Sequence, residues 1–471
     1  MESKYKKLIK NLGWILLGNT GSKVISFLLL PFYTRWLGTN GYGVSDLITT
    51  YASFLVGFMT LCVSDAIFIF TKNKDRIVQK KYFSSVLNFA LMFLSIWFVL
   101  FGLISSGTSY WGIYNTFTQN LWYIYLIVLT TFLQNYTQQF TISISKMKVY
   151  SFSGMVLCSL TFVFSYIFIP TYGVYGYITA TIGANLITSV YSFVFSKSFS
   201  YYSLKEIDLS KVKEVIRYSV PLIPNVIIWW LVSAFNRPVM ETYLDYSMIG
   251  LYAIANRFPA IITMVFGLFS VSWNISVFEE YGKPSFEQFY LKIFRAVFLV
   301  LICISLILIL FSKQILYMFV SPEFFGASTC MVLLFVSSVL SCISGFFGSS
   351  FAVVKKSKYY FYSSIWGVLV SLTLNVPLIK YWGINGAALN VILSFLVMVV
   401  SRYIYSLNYV KVSLTKELIL YILVLGVETL TVLLSDNLFL KFFVTIVTLF
   451  ILFIFERNSI KTLIHFMYNR K

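Results

Sequence analysis

Long apolar segments alternate with short polar ones along almost the whole chain. Each apolar segment approaches the ~20 residues that a helix needs to cross ~30 Å of hydrocarbon. We predict fourteen spans, at about 11–36, 42–70, 83–105, 119–144, 151–170, 174–196, 218–237, 247–278, 288–312, 328–354, 359–379, 384–409, 417–435 and 438–455. The fold class is therefore all-α and polytopic, because a helix satisfies its own backbone hydrogen bonds in lipid.

The composition supports this class and excludes several kinds of chemistry. Of the 471 residues, 59% are hydrophobic and 11% are charged, whereas soluble domains carry roughly 25% charged residues. The five cysteines all lie in apolar segments, so they predict small core residues and no disulfide or zinc site. The single histidine, His465, lies in a basic tail. We predict no metal site and no cofactor.

The charges indicate topology more than they indicate a ligand. The net charge is +19, and 29 of the 36 Lys and Arg residues fall in the loops that share a side with the N-terminus. The positive-inside rule then places both termini in the cytoplasm. The net charge therefore predicts contact with anionic lipid at the inner face, and no binding of nucleic acid.

Three sequence matches at nearly constant spacing indicate an internal repeat. They pair LGTNGYGVSD (37–46) with LDYSMIGLYA (244–253), KMKVYSF (146–152) with KSKYYFY (356–362), and PTYGVYGYITATI (170–182) with KYWGINGAALNVI (380–392). We predict two parallel six-helix repeats whose first helices face each other across a cavity. The domains are then a lobe at 1–196, an amphipathic linker at 197–217, a second lobe at 218–410, and two added helices with a basic tail at 411–471. The turn between spans 1 and 2 is predicted at Gly41 and Gly43.

Polar residues recur at helical spacing on the first two spans of each repeat. Such stripes line a helix interface or a hydrated cavity, because polar groups do not face lipid. The predicted cavity-lining residues are Asn19, Ser26, Asp46, Ser53, Asp65, Asn225, Trp229, Ser233, Asn236, Tyr252 and Asn256.

Four basic residues accompany these stripes and predict an anionic ligand. Lys23 and Arg257 lie deepest, and Arg35 and Arg237 lie near the outer ends of spans 1 and 7. Arginine binds phosphate with a bidentate fork and lysine binds it as a point charge. Alternatives remain open, since Lys23 can pair with an acid of span 2 and the two outer arginines can extend to the interface. Trp229, Trp230, Tyr252 and Trp273 are candidate sugar contacts, with ordinary packing as the alternative.

Several stretches resemble one known family. They are GNTGSKVISFLLLPFYTRWLGTNGYGVSDL, RYSVPLIPNVIIWWLVSAFNRPVMETYLDYSMIGLYAIANR, and the glycine pairs of PTYGVYG and YWGINGAAL. Together they resemble the Wzx-type polysaccharide flippases of the multidrug/oligosaccharidyl-lipid/polysaccharide (MOP) exporter superfamily. The resemblance covers nearly the whole chain, including the layout of six, six and two helices.

The resemblance implies a transporter and no enzyme. Such flippases move an undecaprenyl-diphosphate-linked oligosaccharide to the outer leaflet of the bacterial inner membrane by alternating access, for capsule, O-antigen or exopolysaccharide synthesis. It further implies that Lys23 and Arg257 bind the diphosphate, and that a polymerase and a chain-length regulator are partners. Some relatives couple transport to sodium or protons. Spans 11 and 12 offer only Asn375 and Asn390 as polar candidates for an ion site, so the coupling ion stays open.

Three other functions compete with this one. A multidrug antiporter of the same superfamily is expected to have an acidic or aromatic cavity, whereas the deep charges here are mostly basic. A transporter of the peptidoglycan precursor is also compatible with the pattern. A membrane polysaccharide polymerase needs a chemical site at one membrane face, commonly a large loop, but the outer turn at 106–118 is short and carries no charge.

Overall fold

The computed structural model describes residues 27–457, and these residues form helices joined by short turns, without a β-strand. Four short 3₁₀ helices lie at Ser198–Tyr201, Leu204–Glu206, Val220–Leu222 and Pro322–Ala327. The α-helices are α1 (Leu30–Met59), α2 (Val63–Thr71), α3 (Arg76–Trp111), α4 (Thr116–Gln119), α5 (Leu121–Ser143), α6 (Met147–Phe195), α7 (Leu209–Ser219), α8 (Ile223–Ser233), α9 (Asn236–Tyr243), α10 (Tyr246–Ala255), α11 (Ala260–Glu280), α12 (Phe286–Leu310), α13 (Ser312–Phe319), α14 (Ser328–Val353), α15 (Ser357–Val410), α16 (Thr415–Leu434) and α17 (Leu438–Phe455).

Many of these helices suit a membrane. Within residues 27–457, nine helical segments are long and apolar enough to cross one, and α1 with α2, bent by 48°, makes a tenth if it is one span. The prediction of an all-α, multi-pass membrane protein is confirmed. The count of fourteen spans stays a prediction.

Two helices are too long for one crossing and are broken by glycine. The 49 residues of α6 and the 54 residues of α15 would extend about 70–80 Å at 1.5 Å per residue. Gly173 in α6 and Gly383 in α15 have non-helical backbone, with φ/ψ of 54°/−125° and 56°/−134°. Glycine adopts this region without the steric cost of a Cβ atom. The breaks fall between the predicted spans 5 and 6, and between spans 11 and 12.

The backbone repeats at the positions that the sequence matches pair. Gly173 and Gly383 occupy equivalent positions of the two repeats. So do Ser145 and Lys355, which have φ of 64° and 54° just before α6 and α15. The repeat is therefore a property of local backbone as well as of sequence.

The turn between the predicted spans 1 and 2 lies a few residues earlier than expected. The non-helical backbone falls at Gly38, with φ 62° and ψ 178°. Gly41 and Gly43 lie in the helical part of α1 that follows. The prediction of the turn at Gly41 and Gly43 was therefore wrong in position, because the sequence offers three glycines there and only one of them carries the positive φ.

Replacing the left-handed residue before each long helix by glycine is expected to stabilise the protein. Ser145 and Lys355 are exposed and have positive φ, a region that costs a residue with a Cβ about 1–2 kcal/mol. Ser145→Gly and Lys355→Gly should each raise the free energy of unfolding by about 0.5–1 kcal/mol, net of the chain entropy of glycine. Thermal unfolding in detergent measures this, with the alanine variants of the same positions as controls. A lower melting temperature in both glycine variants would contradict the conformational argument.

Two of the predicted spans are broken at positions that hold no glycine. The chain turns left-handed at Leu61 and Cys62, with φ of 51° and 53°, which separates α1 from α2. The prediction of one unbroken span over 247–278 is also wrong, because the chain leaves the helix at 256–259 before α11 begins. Pro259 contributes to that break, since proline lacks the N–H that a continuing helix needs.

The described residues divide into two compact units that meet in sequence between Trp230 and Leu231. The core of the first unit is centred on Phe83, whose ring lies 4.3 Å from Phe140 and 5.4 Å from Tyr136. The Tyr136 hydroxyl donates to the Phe83 carbonyl at 2.9 Å. The buried hydroxyl therefore has the partner that its burial requires.

The core of the second unit is centred on Phe346. The rings of Trp273 and Tyr290 lie 4.4 and 5.0 Å from it. The Trp273 indole donates to Ser349 at 2.8 Å, and Tyr290 shares a hydrogen bond with Ser350. Trp273, considered above as a sugar contact, is thus buried in protein packing.

The segment after α6 is bound to the start of α3. The Ser84 hydroxyl donates to the Tyr201 carbonyl at 3.1 Å, and the Asp208 amide donates to the Ser85 hydroxyl at 2.8 Å. Asp208 caps α7 by accepting from the Ser210 amide at 2.9 Å. The Ser210 hydroxyl and amide hold the pKa of the half-buried Asp208 carboxyl below its usual range. The segment is therefore packed against the first unit as ordered structure.

Candidate functional site

Three of the predicted site residues, Asn19, Lys23 and Ser26, lie outside the described residues. Of the described cations, Arg35 on α1 is exposed, and Arg257 is exposed in the break between α10 and α11. Arg237 on α9 is buried. The described cations of the predicted site therefore divide into two that are accessible and one that is enclosed.

The polar stripe of the first unit lies mainly on the part of α1 that follows Gly38. Asp46 is buried on it, whereas Ser53 is exposed and its hydroxyl donates to the Thr50 carbonyl at 2.7 Å. Asp65 is exposed in the first turn of α2. The bend between α1 and α2 thus divides the stripe, which the sequence pattern had treated as one continuous face.

Part of this stripe is packed against residues near the start of the second repeat. The Trp230 indole donates to the Thr50 carbonyl at 3.2 Å, and its ring lies 4.6 Å from the Phe54 ring. A Cβ atom at Gly57 would lie 3.0 Å from a Val226 methyl group. At this level the polar stripe forms a helix interface, which was one of its two predicted roles.

Arg237 and Asn236 pack against Tyr252. The Arg237 guanidinium lies 5.2 Å from the centre of the Tyr252 ring, and Asn236 donates to the Tyr252 hydroxyl. An Arg237 nitrogen also lies 3.4 Å from the Ser233 carbonyl oxygen. The three predicted site residues 236, 237 and 252 are thus brought together, and they join α9 to α10.

The other predicted site residues differ in their accessibility. Asn225 and Ser233 are exposed, Trp229 and Asn256 are half-buried, and Tyr252 is 1% exposed. Arg257 follows Asn256 directly in a segment without helical structure. A cation in a helix break is accessible to a ligand, because no continuous helix covers it there.

Buried amides lie where the two halves of α15 meet. The Asn390 amide lies 3.3 Å from the Ser371 carbonyl and 3.4 Å from its hydroxyl, and that hydroxyl donates to the Leu231 carbonyl at 2.8 Å. Asn375 is fully buried, and neither polar atom of its side chain has a hydrogen-bond partner among the described residues. The two asparagines that the sequence singled out are therefore enclosed by packed helices.

The 29 loop cations counted above include Arg402, but the structure buries this residue inside α15, so its place in that count is wrong. Its guanidinium donates to the Ser344 carbonyl at 2.8 Å and to the hydroxyls of Ser364 at 2.8 Å and Ser363 at 3.1 Å. It lies 4.1 Å from the centre of the Tyr360 ring. Arg402 therefore fastens the two halves of α15 to each other and to α14.

Arg402 falls inside the predicted span at 384–409, which could have indicated that it is enclosed. The equivalent position in the first repeat is Ser192, which is fully buried. The counterpart of Ser363 is Ser153, and the amide of Gln138 donates to it at 2.8 Å. Both repeats thus place a nitrogen donor against a serine at the same level of the helix pair.

An apolar groove of about 790 Å³ lies between α14, the second half of α15 and α16. The Thr329 hydroxyl donates to the side chain of Asn385 at 3.1 Å, and both residues line the groove near the start of α14. The apolar lining comes mainly from Leu333, Leu340, Leu389, Ile392, Leu425 and Leu433. The lining of the groove is therefore mostly aliphatic.

These features define the class as a multi-pass helical membrane protein whose repeats contain broken helices and polar faces. The chain belongs to a family described as polysaccharide biosynthesis proteins, whose model matches residues 8–273. The match confirms the predicted resemblance at the level of a family of polysaccharide biosynthesis. A comparison with curated proteins found no match.

Solved structures share the fold at low sequence identity. The lipid II flippase MurJ in an inward closed conformation aligns with a TM-score of 0.68 and 16% identity, over 95% of this chain and 100% of MurJ. An inward-facing multidrug resistance MATE family transporter of the MOP superfamily aligns at 0.63 and 14%, over 80% and 94%. A MOP superfamily transporter from Pyrococcus furiosus aligns at 0.58 and 16%, over 86% and 95%. At these identities the likeness establishes the fold.

Proposed function

We propose that this protein is a flippase that moves an undecaprenyl-diphosphate-linked oligosaccharide from the cytoplasmic to the outer leaflet of the bacterial inner membrane. The observation that carries the proposal is the family match, because it links a chain with a transporter fold to polysaccharide synthesis. In such a pathway a membrane protein must carry a charged, hydroxyl-rich headgroup across hydrocarbon, which the headgroup cannot cross unaided.

The diphosphate of the headgroup requires cations that it can reach. Arg35 and Arg257 are exposed, the first near the turn at Gly38 and the second in a helix break. Each arginine offers a bidentate fork to phosphate oxygens, and Lys23 offers a point charge. Arg237 contributes in a conformation in which it leaves the Tyr252 ring.

The sugars require hydrogen-bonding groups that solvent can reach. Ser53, Asn225 and Ser233 are exposed polar residues of the predicted stripes. Hydroxyl and amide side chains both donate and accept hydrogen bonds, as sugar hydroxyls do. These three side chains are therefore the described candidates for contact with the oligosaccharide.

The lipid tail requires an apolar surface. The groove beside α16 supports the proposal, because its lining is mostly aliphatic and its volume of about 790 Å³ suits part of an isoprenoid chain. A multidrug antiporter, favoured by the likeness to MATE transporters, is the second candidate, but the accessible described arginines would repel its cationic substrates.

Deletion of the gene in its host tests the proposal. We expect lipid-linked oligosaccharide to accumulate on the cytoplasmic side while surface polysaccharide is lost, and the intact gene to restore both. A polymerase and a chain-length regulator are the expected partners, so a polymerase deletion is the matched control, in which single repeat units reach the outer leaflet. Unchanged surface polysaccharide together with new sensitivity to organic cations would support the antiporter instead.

A further inference from the structure

Glu428 is a carboxyl group inside one of the two last apolar helices. It lies on α16, six residues before the end of that helix, which is about 9 Å along the axis at 1.5 Å per residue. The three residues 435–437 connect α16 to α17, and Asn437 caps α17 by accepting from the Phe439 amide at 3.0 Å. The Glu428 side chain is 0% exposed. A carboxyl group at such a position needs a partner or a proton, because an isolated charge is costly in hydrocarbon.

The hydrogen bonds around Glu428 favour a proton on it. Its Oε1 atom lies 2.6 Å from the hydroxyl oxygen of Thr445 on α17, and that hydroxyl oxygen lies 2.8 Å from the Lys441 carbonyl. A hydroxyl has a single hydrogen. If Thr445 donates it to the carbonyl, the hydrogen between Thr445 and Glu428 must come from Glu428. The other oxygen, Oε2, has no partner at hydrogen-bond distance among the described residues, while the Thr448 hydroxyl, which donates to the Thr445 carbonyl at 3.0 Å, also acts on the carboxyl group.

No cation of the described chain compensates a charge on Glu428. Helix α16 packs against α12, α14 and α17. On α12, Arg295 donates to Glu417 at 3.0 Å and lies 3.9 Å from Glu456, and Glu417 is eleven residues from Glu428 along α16. On α17, the charged groups that act on Lys441 are Lys313 and Asp436. The other titratable side chains on these helices are Glu287, Tyr290, Lys292, Cys303, Cys330, Cys342, Lys416 and Tyr421.

We propose that Glu428 is a proton-binding site within the membrane, occupied in this conformation. The neutral carboxyl donates to Thr445, Thr445 donates to the Lys441 carbonyl, and α16 and α17 are joined by this chain of hydrogen bonds. Loss of the proton would place an uncompensated charge between two packed apolar helices. The inference concerns only α16 and α17 and is independent of the transported substrate.

Infrared spectroscopy of the full-length protein in lipid vesicles at neutral pH tests the site. Subtracting the Glu428→Gln spectrum from the wild-type spectrum should leave the C=O stretch of one protonated carboxyl group. Glu417→Gln is the matched control on the same helix, because Glu417 is paired with Arg295, and its difference spectrum should show carboxylate bands. Carboxylate bands in the Glu428 difference spectrum would overturn the proposal.

A second pair of variants covers the case in which Glu428→Gln does not fold. Thr445→Val removes the acceptor of the proposed hydrogen bond, so the protonated-carboxyl band should shift, while Thr445→Ser should leave it in place. A band that is unmoved by Thr445→Val, or absent from the wild-type protein, would contradict the assignment.

Discussion

A single methyl group at position 386 is expected to prevent the second unit from folding. A Cβ atom at Gly386 would lie 1.9 Å from the Leu378 carbonyl oxygen and 2.4 Å from its carbon. Both atoms belong to the backbone of the same broken helix, so no side-chain rotation relieves the clash. We expect Gly386→Ala to cost more than about 4 kcal/mol, which is a large part of the stability of a typical domain.

The same chain provides graded controls for this variant. At Gly383 a Cβ atom meets nothing within 4 Å, but its φ of 56° is unfavourable for alanine, so Gly383→Ala should cost only about 1–3 kcal/mol. Gly426 has open space and ordinary backbone, and Gly426→Ala should stabilise α16 slightly. The yield of monodisperse protein and its thermal unfolding in detergent measure the series. A Gly386→Ala variant as stable as the wild-type protein would contradict the packing described at the break.

The repeat extends this prediction to the first unit. A Cβ atom at Gly176 would lie 2.2 Å from the Phe168 carbonyl oxygen. Gly176 and Phe168 are the first-repeat counterparts of Gly386 and Leu378, so the same close approach recurs at the equivalent break. Gly176→Ala is therefore expected to fail in the same way.

Removal of the deep cations is expected to abolish export of surface polysaccharide. Loss of one cation that contacts a phosphate costs about 2–5 kcal/mol of binding, which is roughly a thirtyfold or greater loss of affinity. Lys23→Ala and Arg257→Ala should therefore stop export while the protein still inserts. Surface glycan staining, normalised to the amount of tagged protein in the membrane, measures the effect.

Lys313→Ala is the matched control for the loss of a positive charge. Lys313 pairs with Asp436 at 3.2 Å, and the Asp436 side chain is 96% exposed. An exposed ion pair contributes little, so export should stay normal in that variant. Normal export in both Lys23→Ala and Arg257→Ala would argue against a diphosphate held by these residues.

The repeat and its helix breaks were predictable where a glycine provides backbone conformations that other residues rarely adopt. Gly173 and Gly383 recur in matched motifs, and each adopts such a backbone conformation. The bend at Leu61 and Cys62 could not be predicted, because neither residue is a glycine or a proline. Such a bend depends on the tertiary packing around it, which local sequence does not encode.

The candidate site was less predictable than the fold. Helical spacing identifies a shared face but does not distinguish a surface that meets a ligand from one that meets another helix. The indole of Trp230 against Thr50 and the guanidinium of Arg237 against Tyr252 are packed contacts on faces predicted to line a cavity. Arg402 was expected in a loop and is instead buried between helices. Positive-inside counting treats every arginine near a helix end as a loop residue.

Reconstitution of the purified protein in vesicles tests the central claim most directly. The vesicles contain undecaprenyl-diphosphate-linked oligosaccharide, and a sugar-cleaving enzyme added outside reports how much of it is exposed on the outer leaflet. The proposed function predicts that the wild-type protein renders nearly all of the lipid-linked sugar accessible, whereas Arg257→Ala leaves about half protected, as in protein-free vesicles. Equal protection with and without the wild-type protein would contradict the proposed function.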